Sequence, residues 1–285
     1  MSTPTPLGSH PVPWSGYASQ AGTLWQELLS RSPEEREVQR FLEHNPAFLP
    51  IGENLPHAGV VFTQPRLQGL GARQFPDFLW IDGSSQRWTP VLVEIEKPSK
   101  AWFTRTGALT AQFHRAHQQL GDWMAWFLEP ENQLVFRRTY IDWLGTPNVG
   151  PVVPRYVLVY GRDAEFAHDP GGVRAGRRVV TARPGETLLT YDHLTANPAG
   201  SNLVTVHLDT LGRLRVRAIA PTLVPGPHLD VLARRAETPV SAVKALPGWD
   251  EDHKAHLVAG WRDRVATGGS RPARPVGEVS ARGKG

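Results

Sequence analysis

The chain contains no cysteine. This excludes disulfides, thiolate nucleophiles and cysteine-type zinc sites together, and it suits a reducing, cytoplasmic compartment. No apolar run approaches the ~18 residues that a membrane-spanning helix needs, so no membrane partner is expected. The opening segment MSTPTPLGSHPVPWSG lacks the basic and apolar regions of a signal peptide. The GxSxG, P-loop and Rossmann glycine patterns are missing, which argues against serine-hydrolase, NTPase and dehydrogenase chemistry. No internal repeat is present. Acidic residues are missing from two long stretches, Lys97 to Gly121 and Gly171 to Gly185. The first carries Lys100, Arg105, His114, Arg115 and His117, the second Arg174, Arg177, Arg178 and Arg183. Such stretches suit a polyanion, although each alone is equally a solvated basic face.

What is present is a chain of 285 residues, 40% hydrophobic, with a net charge of +4 and a pI near 9.6. That length supports one large domain, or a domain with a subdomain. Residues 1–16 read as a flexible leader, 17–200 as the main domain, 201–266 as an extension or subdomain, and 267–285 as a disordered Gly/Arg/Pro/Ser-rich tail. A helix is expected from about Ala18 to Leu29. A second should be started by Ser32 as N-cap, Pro33 in the first turn and a capping-box glutamate, and should stop before Pro46. Strands are expected over 58–63, 73–81 and 88–96, the last two as a hairpin around Asp82-Gly83-Ser84-Ser85. A long helix follows over 105–128, with Leu109, Phe113, His117, Leu120, Met124 and Phe127 at helical spacing. Further strands are expected at 155–160, at 188–194 before a turn, and as a hairpin of 203–208 with 213–220. Short helices are expected near 228–235 and 250–265. The sum is a mixed α/β or α+β architecture.

The informative residues lie on the acid-bearing hairpin. Side chains alternate along a strand, so Glu94 and Glu96 share a face while Val93, Ile95 and Lys97 take the other. Two carboxylates on one face of a Val/Leu/Ile run call for a cationic partner, and a divalent metal is the simplest. With Asp77 beside them, three carboxylates form a candidate Mg²⁺ (or Mn²⁺) site. Its metal-activated water would attack a phosphodiester, with a nearby lysine stabilising charge. Each residue also has a plainer role: an Asp after proline caps turns, and Glu94 and Glu96 suit the wet face of an edge hairpin. Trp102, beside the basic run, is the candidate base-stacking platform, whereas Trp123 and Trp126 read as core. His114 and His117 sit three apart without a third metal ligand. Asp192-His193 reads as a cap, and Glu251-Asp252-His253 as a solvated helix start.

The series EREVQRFLEHNP (35–46), PDF (76–78), VEIEKPS (93–99), QLGDW (119–123), YGR (160–162) and LTYDHL (189–194) resembles the Shedu antiphage defence family and its SduA-type C-terminal domain. PDF and VEIEKPS in turn resemble the PD-(D/E)XK nuclease core. The resemblance covers roughly 30–200 and implies a restriction-endonuclease-like core, a central mixed sheet flanked by helices. It implies Asp77 and Glu94 as metal ligands, completed by the backbone carbonyl of Ile95. It also implies a further acid on the first helix, Glu35 or Glu37, of which Glu35 shares a helix face with Gln39, and a role for Gln119 toward metal-bound water or phosphate. Glu96 stands where the family pattern has lysine, and Lys97 is one place late and should face away. Glu96 is then a second metal ligand or a general base. The implied activity is a metal-dependent DNA endonuclease or nickase in a dimer or tetramer, with Lys100, Arg105, Arg115 and Trp102 as DNA contacts. Two alternatives remain: a catalytically silent nuclease-fold module that binds DNA or a partner protein, and a restriction or repair nuclease of the same fold.

Overall fold

The computed structural model describes residues 13–266, apart from 53, 71–73, 84–85, 145–149, 168–171, 211, 221, 224–231, 233–235, 237–239 and 245–250. The proposed tail and most of the leader lie outside these residues. So do half of the 82–85 turn and, except for Leu232, the helix expected near 228–235.

Helix α1 spans Trp14–Ser30 and buries Tyr17, Ala21, Trp25, Leu28 and Leu29, one stripe at helical spacing. It therefore begins inside the expected leader. Helix α2 spans Glu35–His44. Its capping box lies two residues beyond the expected one: Glu34 is the N-cap, and its N–H donates to Glu37 Oε2 at 2.9 Å. Ser32 is taken up in ending α1, because its N–H donates to Leu29 O and its φ is +50°.

Strands β1 (Val60–Thr63), β2 (Phe78–Gly83) and β3 (Trp88–Ile95) form an antiparallel meander. Helix α3 (Ala111–Leu128) begins six residues later than expected. A turn at Thr104–Gly107, with Gly107 at φ +80°, precedes it, and Thr110 caps it by accepting the Phe113 N–H. Helix α4 (Pro130–Phe136) then starts with proline in its first turn. Strand β4 (Arg155–Val159), helix α5 (Val173–Thr181) and strand β5 (Glu186–Leu189) follow. The hairpin of β6 (Val204–Leu208) and β7 (Leu214–Ile219) comes next, then helices at Val240–Lys244 and Glu251–Ala266. Helices α4, α5 and the helix at 240–244 are not among the elements expected from the sequence.

All seven strands make one mixed sheet in the order β5-β4-β3-β2-β1-β6-β7. Pairing directions place β1, β3, β4, β5 and β6 parallel to one another, with β2 and β7 reversed. The β6–β7 hairpin thus extends the sheet of the preceding segment by pairing β6 with β1. One face packs Val61, Trp80, Val91 and Val93 against α1 and α2. The other packs Phe62, Leu79, Leu92 and Leu158 against α3 and α4. Burial on both faces explains why β3 and β4 read as near-continuous apolar runs. The protein is a mixed α/β fold with helices on both sides of its sheet.

Candidate functional site

Open α/β sheets bind ligands outside the carboxyl ends of their parallel strands. Here that edge holds the end of β3 and the residue entering β2. Asp77 donates its N–H to Val93 O at 3.0 Å, and its Oδ2 accepts the Ile95 N–H at 2.9 Å. The Asp77 side chain therefore bridges to the end of β3. Glu94 follows the Leu92 face toward α3, where the Gln119 amide donates to it. Glu96 has left the strand, yet its N–H still donates to Val159 O. The Tyr191 hydroxyl donates to Glu96 O at 2.5 Å, with the Tyr191 ring fully buried. Glu35, in the first turn of α2, shares a hydrogen bond with Glu96. Asp77, Glu94, Glu96, Glu35 and Gln119 are thus brought together from four elements. In sequence they span 85 positions.

The charges show what this gathering costs. Burial pushes the Asp77 carboxyl up to about 7, opposed by the Ile95 N–H and reinforced by Glu35, Glu96 and Glu43. Glu94 is raised well above the ordinary range, first by burial and then by Asp77, Glu96 and Glu35, with Gln119 pulling the other way. Glu35 is raised by burial and then by Glu96. The Glu94 Oε2 atom is buried without a hydrogen-bond partner. A buried acceptor of this kind costs about 1–3 kcal/mol unless something meets it. Among the described residues, no three His, Asp or Glu side chains are arranged to hold a metal ion as they stand. The donor set nevertheless suits a hard cation that keeps several waters: Asp77, the orphaned Glu94 oxygen and the Ile95 carbonyl.

The two lysines follow the end of β3 and take different acids. Lys97 pairs with Glu34 at 2.5 Å, at the N-cap of α2 beside Glu35. Lys100 folds back through a turn closed by its N–H on Lys97 O, and its ammonium pairs with Glu96. Lys100 also lowers the Glu35 carboxyl pKa, so its field reaches into the acid cluster. The missed signal is the KPSK spacing, in which a proline turn returns the second lysine to the acids. Tyr191 carries no signal of its own in the sequence beyond its place in LTYDHL.

Two expectations need revision. Trp102 offers no face to a nucleic-acid base: it is fully buried, stacked on Phe113, and its indole N–H donates to Tyr160 O at 2.7 Å. Lys100 belongs to the acid cluster rather than to an outer basic face. His117, on the apolar stripe of α3, bonds Glu186 at 2.7 Å in a network with Arg183. Arg105 and Arg115 remain exposed. Asp192 holds Arg162 through both carboxylate oxygens and so locks the segment carrying Tyr191. A cavity of about 570 Å³, lined by Val91, Arg155 and Thr187 among others, opens at the other end of the strands and touches none of the clustered acids.

The class is therefore a mixed α/β protein with a buried carboxylate cluster at the carboxyl edge of its sheet. Residues 32–195 match the family described as Shedu protein SduA, C-terminal, and the chain belongs to that family. The match begins just before α2 and ends just after Tyr191, so it encloses every residue of the cluster. No curated protein matches the chain.

Proposed function

We propose that the protein is a metal-dependent deoxyribonuclease, an endonuclease or nickase, acting in antiphage defence. Family membership supports the defence role. The observation that carries the chemistry is the buried Glu94 oxygen without a partner, set beside Asp77 in a cluster of like charges. Asp77, Glu94 and the Ile95 carbonyl would hold Mg²⁺ or Mn²⁺, and Glu96 would be a further ligand or base. The bound cation would lower the pKa of a water and offset charge on a phosphodiester. Asp77 is oriented for ligation by the Ile95 N–H, which fixes one of its oxygens. Gln119 fixes Glu94 and stands ready to orient a water or a phosphate oxygen. Lys100 brings a positive charge to the cluster, in the role that the family pattern gives to a strand lysine. Assembly as a dimer or tetramer belongs to the same reading.

The test is cleavage of supercoiled and linear plasmid with Mg²⁺, Mn²⁺ or EDTA. Metal-dependent cutting is expected from the wild type and none from Asp77→Asn or Glu94→Gln, both with native circular dichroism. Cutting retained in either variant would refute the assignment. A wild type that binds DNA but never cuts would favour the silent binding module, which is motivated by Glu96 in the lysine place.

A further inference from the structure

Helix α2 carries two adjacent stripes at four-residue spacing. Glu35, Gln39 and Glu43 are half-buried, while Arg36, Arg40 and His44 are exposed. Four residues of helix rise ~6 Å, so the basic stripe extends over roughly 12 Å. The half-buried stripe leads out of the acid cluster, since Glu35 bonds Glu96 and the charge of Glu43 reaches Asp77. At its far end α2 is tied to the β6–β7 hairpin, where Thr205 Oγ1 donates to Glu43 O at 2.9 Å. Arg217 of β7 and His207 of β6 lie around Glu43 together with Arg40 and His44.

The acids of α2 are otherwise engaged. Glu34 holds Lys97 and Glu37 closes the capping box, leaving Glu43 as the acid among four basic groups. Arg36, Arg40 and Arg217 form no ion pair with a described residue. In the other arginine-rich stretch the three arginines of α5 have partners within the chain. Arg174 covers the Phe103 ring, Arg178 covers Phe166 and approaches Asp163, and Arg177 donates to Gly107 O.

We propose that the face made by Arg36, Arg40, His44 and Arg217 carries the phosphate backbone of duplex DNA on its way into the acid cluster. This rests on the nuclease reading above. A polyanion cannot approach four carboxylates without a cationic border, and this exposed stripe runs beside them along α2. Guanidinium groups match phosphate oxygens bidentately.

The experiment is fluorescence anisotropy of a labelled duplex in EDTA across a salt series, with cleavage measured separately in metal. Each phosphate contact contributes roughly 0.9 to the slope of log affinity against log salt. Arg36→Gln/Arg40→Gln/Arg217→Gln should therefore lower the slope by roughly 2–3 and weaken binding at least ~10-fold near physiological salt. Its melting temperature should be unchanged, and Arg138→Gln should bind like wild type. An unchanged slope in the triple variant would overturn the proposal, as would loss of the slope in Arg105→Gln/Arg115→Gln instead. Equal capture of polyglutamate would also overturn it, by showing a general polyanion surface. If the wild type cuts DNA and the triple variant keeps its KM, only this surface fails. A wild type that neither binds nor cuts defeats the nuclease reading beneath it.

Discussion

At the scale of single residues, the acid cluster sets a pH dependence. The Asp77 carboxyl moves from 3.8 to about 7 on folding, with burial as the main cause. The folded state therefore binds the proton more tightly than the unfolded chain. Stability from this group is full below 3.8 and is lost as pH rises through about 7. Metal-stripped protein should melt at a lower temperature at pH 8 than at pH 5.5, read by differential scanning fluorimetry in EDTA. Mn²⁺ should raise the melting temperature more at pH 8, because a cation competes with the protons it displaces. A flat profile with and without Mn²⁺ would contradict both the burial argument and the metal site. Tyr191 acts through another residue, holding Glu96 by its backbone carbonyl. Losing one such hydrogen bond costs about 1 kcal/mol of stability. Tyr191→Phe should thus stay folded, lower kcat and leave KM for DNA near its original value; an unaltered kcat would reduce Tyr191 to a core residue.

At the scale of elements, the YGR segment after β4 is a junction built from three different constraints. Tyr160 receives the Trp102 indole N–H on its carbonyl. Gly161 has φ +62°, and a Cβ there would lie 2.8 Å from Lys100 O and from the Trp102 ring. Arg162 clamps Asp192 and donates to Leu29 O at 3.1 Å, joining β4 to the end of α1. Burial pulls the Asp192 carboxyl up, but the Arg162 and Asp163 hydrogen bonds outweigh it and hold it below its ordinary value. Gly161→Ala should strain the backbone and push on the turn that presents Lys100. A cost of about 1–3 kcal/mol is expected in urea unfolding, together with a loss of cleavage larger than that stability loss explains. An equal fall in both would mean that Gly161 serves packing alone. The sequence shows Gly-Arg only as the end of a strand, since positive φ and a close approach exist only against residues 60 positions earlier.

At the scale of the whole molecule, the sheet runs past residue 200. Strand β6 covers the edge of β1 in parallel register, Val60 with Val204 and Val61 with Thr205. A chain ended at 200 would leave the N–H and C=O groups of β1 unpaired beside an apolar face, a template for aggregation. Such a truncation should lose its cooperative thermal transition by circular dichroism and elute aggregated from size exclusion. A monomeric, cooperatively folding 1–200 fragment would show that the hairpin is an appendage. Among the described residues no helix is long and apolar enough to cross a membrane.

Legible in the chain were the strand pair that carries Glu94 and the placing of Asp77 just before its partner strand. These follow from short apolar runs bounded by turn residues, which are local signals. The apolar stripes of α1 and α3 were equally legible, because burial imposes helical spacing over a dozen or more residues. Helix starts were less so: Ser32 and Thr104–Gly107 are occupied by turns whose partners lie outside the pattern. The tertiary structure alone decided that Lys100 meets Glu96, that Tyr191 holds the same residue, that Trp102 is core, and that β6–β7 belongs to the sheet. Each depends on contacts between distant segments, and neither a hydropathy period nor a turn signal records which distant group lies opposite a given side chain.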